Sequence, residues 1–330
     1  MTWSKSHIIA LVIGGLLIPI LLIAHLIIGE LDVSVGDVFG SFSNIESTYY
    51  QIIWEFRFPR VFMAAIAGSC LSVAGLLMQT LFNNPLAGPY VLGINSGSSL
   101  LVALTTMTGF TVFQSDVANI FSALVGAFLF GLVILVFARW IKSTISLLLV
   151  GLMLGSFTSA FIALMQSKAD LQSLKSFTMW SLGSLQNVAL DQLPIISFTF
   201  ILGLIIAALI VKSLNNLVLG ESHTKLIGYN LKQLRIVIIA ITAIFTGLVT
   251  AFCGPISFVG LAVPNILRIA LKTQNHAVLL IGTVVFGASF VMICDLIIRL
   301  SSDLIHIPIN VLTALIGAPV VVVILVKKLA

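Results

Sequence analysis

The sequence predicts an all-α, polytopic membrane protein of about ten transmembrane helices. Three observations lead there. Hydrophobic residues make up 59% of the 330 positions and charged residues only 8%, with a mean hydropathy of +1.20. The 16 basic and 11 acidic residues lie almost entirely between long apolar runs. A charged side chain at mid-bilayer costs roughly 2.5–3.5 kcal/mol on insertion scales, so spans exclude charge and loops collect it. The runs approach the roughly 20 residues that a helical span needs. Backbone groups at that depth have no water to pair with, so the runs must be helical. The alternation over about ten residues that marks an outer-membrane barrel strand is absent.

Ten runs are read from the chain, at 8–28, 60–82, 92–109, 117–138, 146–166, 193–211, 236–252, 256–271, 277–298 and 308–326. The first is a retained span rather than a cleaved signal, being long, weakly basic ahead of the run and without a small-x-small cleavage site. The eighth is short and interrupted by Pro255 and Pro264, so it is not expected to cross fully. The longest connections, 29–59, 167–192 and 212–235, cannot hold a soluble domain, and residues 1–330 are expected to form one transmembrane domain. Trp3, Trp54 and Trp140 fall near span ends, where indoles favour the interface. Cys70, Cys253 and Cys294 lie in or beside spans, at spacings of neither a metal site nor a disulfide framework.

Basic residues set the orientation. With the N-terminus inside, Lys5, Arg139, Lys142, Lys212, Lys225, Lys232, Arg235, Arg268, Lys272, Lys327 and Lys328 are cytoplasmic. Arg57, Arg60, Lys168, Lys175 and Arg299 are then outside. Of the carboxylates only Glu221 is inside. Glu30, Asp32, Asp37, Glu46, Glu55, Asp116, Asp170, Asp191 and Asp303 are outside, and Asp295 sits near the outer end of its span. An even number of spans returns the C-terminus to the cytoplasm.

Several chemistries have no residues to carry them. There is no G-x-x-x-x-G-K-[ST] phosphate loop, and no H-E-x-x-H zinc pair among the five histidines. No nucleophile and base are arrayed within a span, so the chain is not expected to be an enzyme or to hold a cofactor or metal. Mid-span acids of the kind that proton- and sodium-coupled carriers use are also missing. Asp295 comes nearest, and its spacing to Arg299 predicts a local ion pair. The chain reads as a conduit whose energy comes from a partner.

Three places depart from the general pattern. Arg57 and Arg60 flank Pro59 at the start of the second span, and Arg299 closes the ninth, all against the positive-inside tendency. Either they snorkel or pair with Glu55 and Asp295, or they form a basic rim that docks acidic groups of a partner. The inner segment 212–235 carries Leu219, Leu226 and Ile227 among Glu221, His223 and Lys225, with Gly228 placed to end a short helix. It is either a surface helix or a knob for a groove on a cytoplasmic motor. The uncharged break Asn83-Asn84-Pro85-Leu86-Ala87-Gly88-Pro89 separates the second and third runs. It is either a tucked turn or the lining of the inner end of a pathway.

Together with their neighbours these places resemble the FecCD-type permeases, subunits of ATP-driven importers for iron–siderophore complexes, haem and cobalamin. The matching segments are Arg57-Phe-Pro-Arg60, Asn84-Pro-Leu-Ala-Gly-Pro-Tyr-Val-Leu-Gly93, Leu148-Leu-Val-Gly151, Trp180-Ser-Leu-Gly-Ser184, Leu219-Gly-Glu221 with Leu226-Ile-Gly228, Gly254-Pro-Ile-Ser-Phe-Val-Gly-Leu-Ala-Val-Pro264, and Leu315-Ile-Gly-Ala-Pro319. They run in the family's order from the second span to the tenth. The resemblance implies a type II ABC importer permease fold, with spans two to five and seven to ten as an inverted repeat. The only trace of that repeat in the sequence is that Arg60 and Arg235 each precede a similar apolar run.

The resemblance also implies partners: a second permease subunit, identical or paralogous, two ATP-binding-cassette ATPase subunits, and an extracytoplasmic binding protein that delivers the chelate. Nucleic acid is not among them, and the location implied is a bacterial cytoplasmic membrane. On matching positions, Arg57, Arg60 and Arg299 resemble the pockets that receive the binding protein. Glu221, Thr224, Leu226 and Gly228 fall in the segment resembling the ATPase coupling helix. Asn84 and Leu86 resemble the inner gate loop, and Thr144 and Ser146 the closure at the start of span five. Where members often have His after the span-eight proline, this chain has Asn265. The expected cargo is an iron–siderophore. Haem, cobalamin or an oxyanion are alternatives within the family, and an ion-coupled secondary transporter is the alternative outside it.

Overall fold

A computed structural model describes residues 4–29, 31, 33–41, 47–108, 116–141, 143–302 and 306–329. Trp3, Glu30, Asp32, Glu46, Lys142 and Asp303, which entered the reading above, lie outside the described residues. All regular structure among the described residues is helical.

Each apolar run corresponds to a helix. The first is α1 (Lys5–Ile27), followed by the short α2 (Val35–Ser41). The second begins earlier than the hydropathy implies: α3 (Thr48–Tyr50), a π-helical segment (Gln51–Arg57) and α4 (Phe58–Leu81) run on as one helix. Pro59 explains the wide turn. Its ring would press on the carbonyl one α-turn back, and π geometry relieves that clash. Then come α5 (Ile94–Met107), α6 (Asp116–Trp140), α7 (Thr144–Gln166), the short α8 (Leu171–Ser181), α9 (Leu193–Leu209), the short α10 (Val211–Leu217) and α11 (Glu221–Leu226), α12 (Leu231–Cys253), α13 (Val259–Ala270), α14 (His276–Leu300) and α15 (Ile309–Leu329).

Of the helices that match the ten apolar runs, α5 and α13 are too short to cross a bilayer. At 1.5 Å per residue, α5 with 14 residues spans about 21 Å and α13 with 12 about 18 Å, against a hydrocarbon core of about 30 Å. The short eighth span was expected, but its break lies at 254–258 and not at Pro264, which α13 accommodates. The short third span was not expected. Its run opens as a 3₁₀ turn (Pro89–Leu92), and α5 starts only after Gly93 takes a left-handed φ of 73°. The entry to α13 has the same form, with Gly254 at φ 70° and Phe258 at φ 66°.

α4 is the centre of the molecule, every residue from Ile66 to Leu81 being buried. It packs on α14, α12 and α13. Apolar lipid gives helices no hydrophobic reason to associate, so close approach between small residues holds them. A Cβ on Gly68 would overlap the Gly287 carbonyl of α14, and one on Gly75 would overlap the Gly260 carbonyl of α13. Gly97 of α5 and Gly126 of α6 meet in the same way. By contrast α1, α6, α7, α9 and α15 expose large side chains such as Ile13, Phe128, Phe157, Phe198 and Val322, and so form the outer surface of the bundle.

The packing repeats. In the first set, α4 to α7, and the second, α12 to α15, the same partnerships recur: α4 packs on α14 as α12 packs on α6, α4 on α13 as α12 on α5, and α5 on α7 as α13 on α15. The short helix is second in each set. Arg60 near the start of α4 binds Asp295 near the end of α14, and Arg235 near the start of α12 binds Ile141 just past α6. The two arginines lie at opposite ends of the bundle, as an inverted repeat requires.

Gly75→Ala should therefore force α4 and α13 apart. A loss of about 1–3 kcal/mol is expected for such overpacking, read as a lower unfolding temperature in detergent. The same change at Gly15 of α1, where an added Cβ meets nothing within 4 Å, should be neutral.

Candidate functional site

The predicted site residues collect at the two ends of the bundle. At one end Asp295, with only 2% of its side chain exposed, is held by Arg60: Nε donates to both carboxylate oxygens at 3.0 Å and Nη2 to Oδ1 at 2.7 Å. Arg299 Nε pairs with Oδ2 at 3.3 Å, and His25 Nε2 lies 3.4 Å from the same oxygen. Arg299 Nη1 donates to the His25 carbonyl at 2.8 Å. Arg57 donates from Nη1 to the Leu26 and Ile27 carbonyls at 2.7 and 2.8 Å, and from Nη2 to the Leu31 carbonyl at 2.6 Å. The three arginines thus form a cluster that ties the end of α1 to α4 and α14. The expected Asp295–Arg299 pair is present. Arg60, at 15%, has the more exposed side chain of the two that face Asp295.

Arg60 and Asp295 form part of the wall of a cavity of about 1290 Å³. Its other walls come from α8, the stretch 182–187, the ends of α5 and α6, and Pro308 and Ile309. Neutral hydrogen-bonding groups such as Asn119, Gln172, Ser176 and Asn187 face it.

The remaining predicted residues are gathered at the opposite end. α11 is a single short helix started at Gly220 (φ 108°) and stopped at Gly228 (φ 93°). The Tyr229 amide donates to the Thr224 carbonyl at 3.2 Å. Thr224 is buried, its hydroxyl donating to the Gly220 carbonyl at 2.8 Å. Leu226 is 87% exposed and Leu219 65%, which leaves an apolar tip on a braced base. The brace is Arg235, which donates to Glu221 Oε1 at 3.0 Å and to the Ile141 carbonyl at 3.1 Å. The helix is shorter than its sequence pattern implies, since Leu219 precedes it.

Ile141 lies just ahead of Thr144 and Ser146. Ser143 caps α7 by accepting from the Ser146 amide at 3.3 Å; Ser146 is exposed and Thr144 half-buried. Higher on α7, Gly151, Gly155, Ser156 and Ser159 face Tyr90, Gly93 and Ser96 across a groove of about 520 Å³.

The Asn84 loop is a folded turn. Asn84 Oδ1 accepts from the Leu86 amide at 2.9 Å, and the Asn84 carbonyl from Ala87 at 3.1 Å, which leaves Leu86 43% exposed. Residues that the sequence reading did not select hold it in place. Asn265 Nδ2 donates to the Pro85 carbonyl at 2.8 Å and to the Leu261 carbonyl at 2.9 Å. Arg268 donates to Gln79 Oε1, and Gln79 Nε2 to the Gly260 and Leu261 carbonyls at 3.4 and 3.3 Å. Thr80 pairs with His276 Nε2 at 2.7 Å, and the His276 amide donates to Asn215 Oδ1 at 2.8 Å. That chain joins the end of α4, the start of α14 and α10. The available signal was a polar side chain inside an apolar run, as at Gln79, Asn265 and Arg268.

Among the described residues no group of three or more His, Cys, Asp or Glu side chains could hold a metal ion. The three cysteines are buried and unpaired.

Comparison with known proteins completes the picture. The FecCD transport family profile matches residues 16–327. The chain belongs to the FecCD transport family. It is 33% identical over 329 residues to the vitamin B12 import system permease protein BtuC of Vibrio cholerae, covering 99% of this chain and 95% of the relative. It is 31% identical over 316 residues to the hemin transport system permease protein HmuU of Yersinia pestis, covering 94% and 93%. A solved inward-facing conformation of a metal-chelate type ABC transporter superposes with a TM-score of 0.85 at 31% identity, covering 96% of this chain and 99% of that one.

Replacing Asp295 with Asn should leave Arg60 and Arg299 without their counter-charge. Removing one partner of a buried pair costs about 3–5 kcal/mol, and a comparable fall in unfolding stability is expected in detergent. Replacing Arg60 and Asp295 together with Leu should cost less than Asp295→Asn alone.

Proposed function

We propose that this family member is the permease subunit of an ATP-driven importer, paired with a second permease subunit and powered by two separate ATP-binding-cassette ATPase subunits. The observation that carries the reading is the braced apolar knob at Leu226, set in a chain that matches importer permeases along nearly its whole length. An exposed leucine on a short helix held by Glu221–Arg235 suits a groove on a motor subunit. Glu221, Thr224, Leu226 and Gly228 are assigned to that coupling. The knob end is placed in the cytoplasm with both chain termini, in a bacterial cytoplasmic membrane, and the arginine end faces outward.

Cargo arrives from an extracytoplasmic binding protein. Arg60 is assigned to receive its acidic groups, with Arg57 and Arg299 locking the platform from which Arg60 projects. The groove along Gly151, Gly155, Ser156 and Ser159 forms half of a tunnel, completed by the partner permease. Small and weakly polar linings let a large chelate pass without gripping it. ATP binding draws the knobs together and switches access, with Asn84, Leu86, Thr144 and Ser146 closing the inner end. The cargo is assigned as an iron–siderophore. The relatives' own cargoes, vitamin B12 and hemin, are the competing assignments.

Vesicles holding this chain with its ATPase and binding protein should take up labelled ferric chelate only with ATP inside the motor compartment. Uptake on an ion gradient with no ATPase present would overturn the reading. Leu226→Asp should abolish ATPase association in pull-down while leaving the permease folded. Arg60→Glu should weaken binding-protein docking at least tenfold, measured in low salt because exposed charge attraction is screened over about 10 Å at 0.1 M.

A further inference from the structure

The two irregular entries, 82–93 before α5 and 254–258 before α13, come from opposite halves of the repeat and meet each other. Tyr90 joins them. Its hydroxyl donates to the Ile256 carbonyl and accepts from the Ile256 amide at 3.1 Å. One side chain therefore satisfies both polar groups of a backbone residue that has left its helix. Asn265, 6% exposed, adds the second tie by binding Pro85 and Leu261 at once. Gln79 and Arg268 add a third at the base of the loop. In turn 254–258 is anchored towards the arginine end: the Ser184 amide donates to the Cys253 carbonyl at 2.8 Å, and the Ser257 amide to Asn310 Oδ1 at 2.9 Å.

We propose that Tyr90 and Asn265 are positioning residues that lash the Asn84 loop to the broken helix α13, so that loop and helix move as one gate. The chain of contacts then runs from the stretch 182–184, through the 254–258 break and Tyr90, to Leu86. Tyr90 also lines the groove against α7, so the residue whose hydroxyl holds the gate also borders the proposed path. Movement of cargo along the groove and movement of the loop are thereby coupled through one residue. This deepens the transport reading and rests on it for its meaning, while the physical tie is testable without it.

The tie is measured by hydrogen–deuterium exchange on the full chain in lipid nanodiscs. Asn265→Ala and Tyr90→Phe, each of which removes two hydrogen bonds, should each speed exchange across 83–89 by at least about tenfold, the worth of one ordinary hydrogen bond, and leave 144–150 unchanged. Asn265→His, whose ring N–H can donate to a carbonyl, should restore protection. In the assembled importer both loosening variants should raise the ATP consumed per cargo molecule, whereas a merely unstable permease loses ATP turnover and uptake together. Tyr90→Phe removes a single oxygen and stays informative if the Asn265 variants fail to fold. Unchanged exchange at 83–89 would overturn the proposal, as would looser exchange with an unchanged ATP-to-cargo ratio. Failure of wild-type vesicles to import with ATP would instead overturn the transport reading and leave the exchange result standing.

Discussion

Backbone amides and carbonyls deep in a membrane have no water to turn to, and this architecture depends on that constraint. Regular helices meet it automatically. The two interruptions, 82–93 and 254–258, cannot, and they exist only because side chains step in: Tyr90 for Ile256, Asn310 for Ser257, Asn265 for Pro85. Irregular backbone at this depth is tolerated where protein encloses it or where it lines a cavity. The α5 entry has both conditions, held by α13 on one side and open to the α7 groove on the other. The unusual backbone and the unusual polar side chains are thus one device.

Charge is treated differently at the two ends. At the arginine end, Asp295 is almost fully enclosed and surrounded by Arg60, Arg299 and His25. Such a cluster fixes geometry, because any displacement of α1, α4 or α14 exposes an unmatched charge to a poor dielectric. At the knob end, Glu221 is 44% exposed while its partner Arg235 is mostly covered. Pairs open to solvent contribute little stability, so the brace orients α11 without freezing it. The arginine end is thus a rigid frame and the knob end a compliant one.

Much of this was legible in the sequence, because exclusion of charge from lipid writes the spans directly. The runs that become α4, α7 and α9 follow from apolar run length, and the stop at Gly228 from the glycine at a helix end. The Asp295–Arg299 pair follows from spacing on one helix. What stayed hidden depends on partners far apart in the chain. Pairing of the outer arginines with Asp295 is one of two readings the sequence leaves open, and the structure gives it to Arg60 as well as Arg299, whereas nothing near Tyr90 announces Ile256. The third run reads as 92–109, yet the 3₁₀ turn and Gly93 delay the helix to Ile94 and it ends at Met107. The start of the second span was misplaced because Trp54, Glu55 and Arg57 interrupt the hydropathy without interrupting the helix.

The exchange of partners between the two halves of the repeat has a consequence for biogenesis. The most enclosed helix, α4, is made early, whereas α14, with which it shares the Gly68–Gly287 contact, leaves the ribosome near the end of synthesis. Neither half can bury its own centre, so neither is a self-sufficient folding unit. The first half can form its own α5–α6 and α5–α7 contacts, but the core around α4 is complete only when α12, α13 and α14 are present.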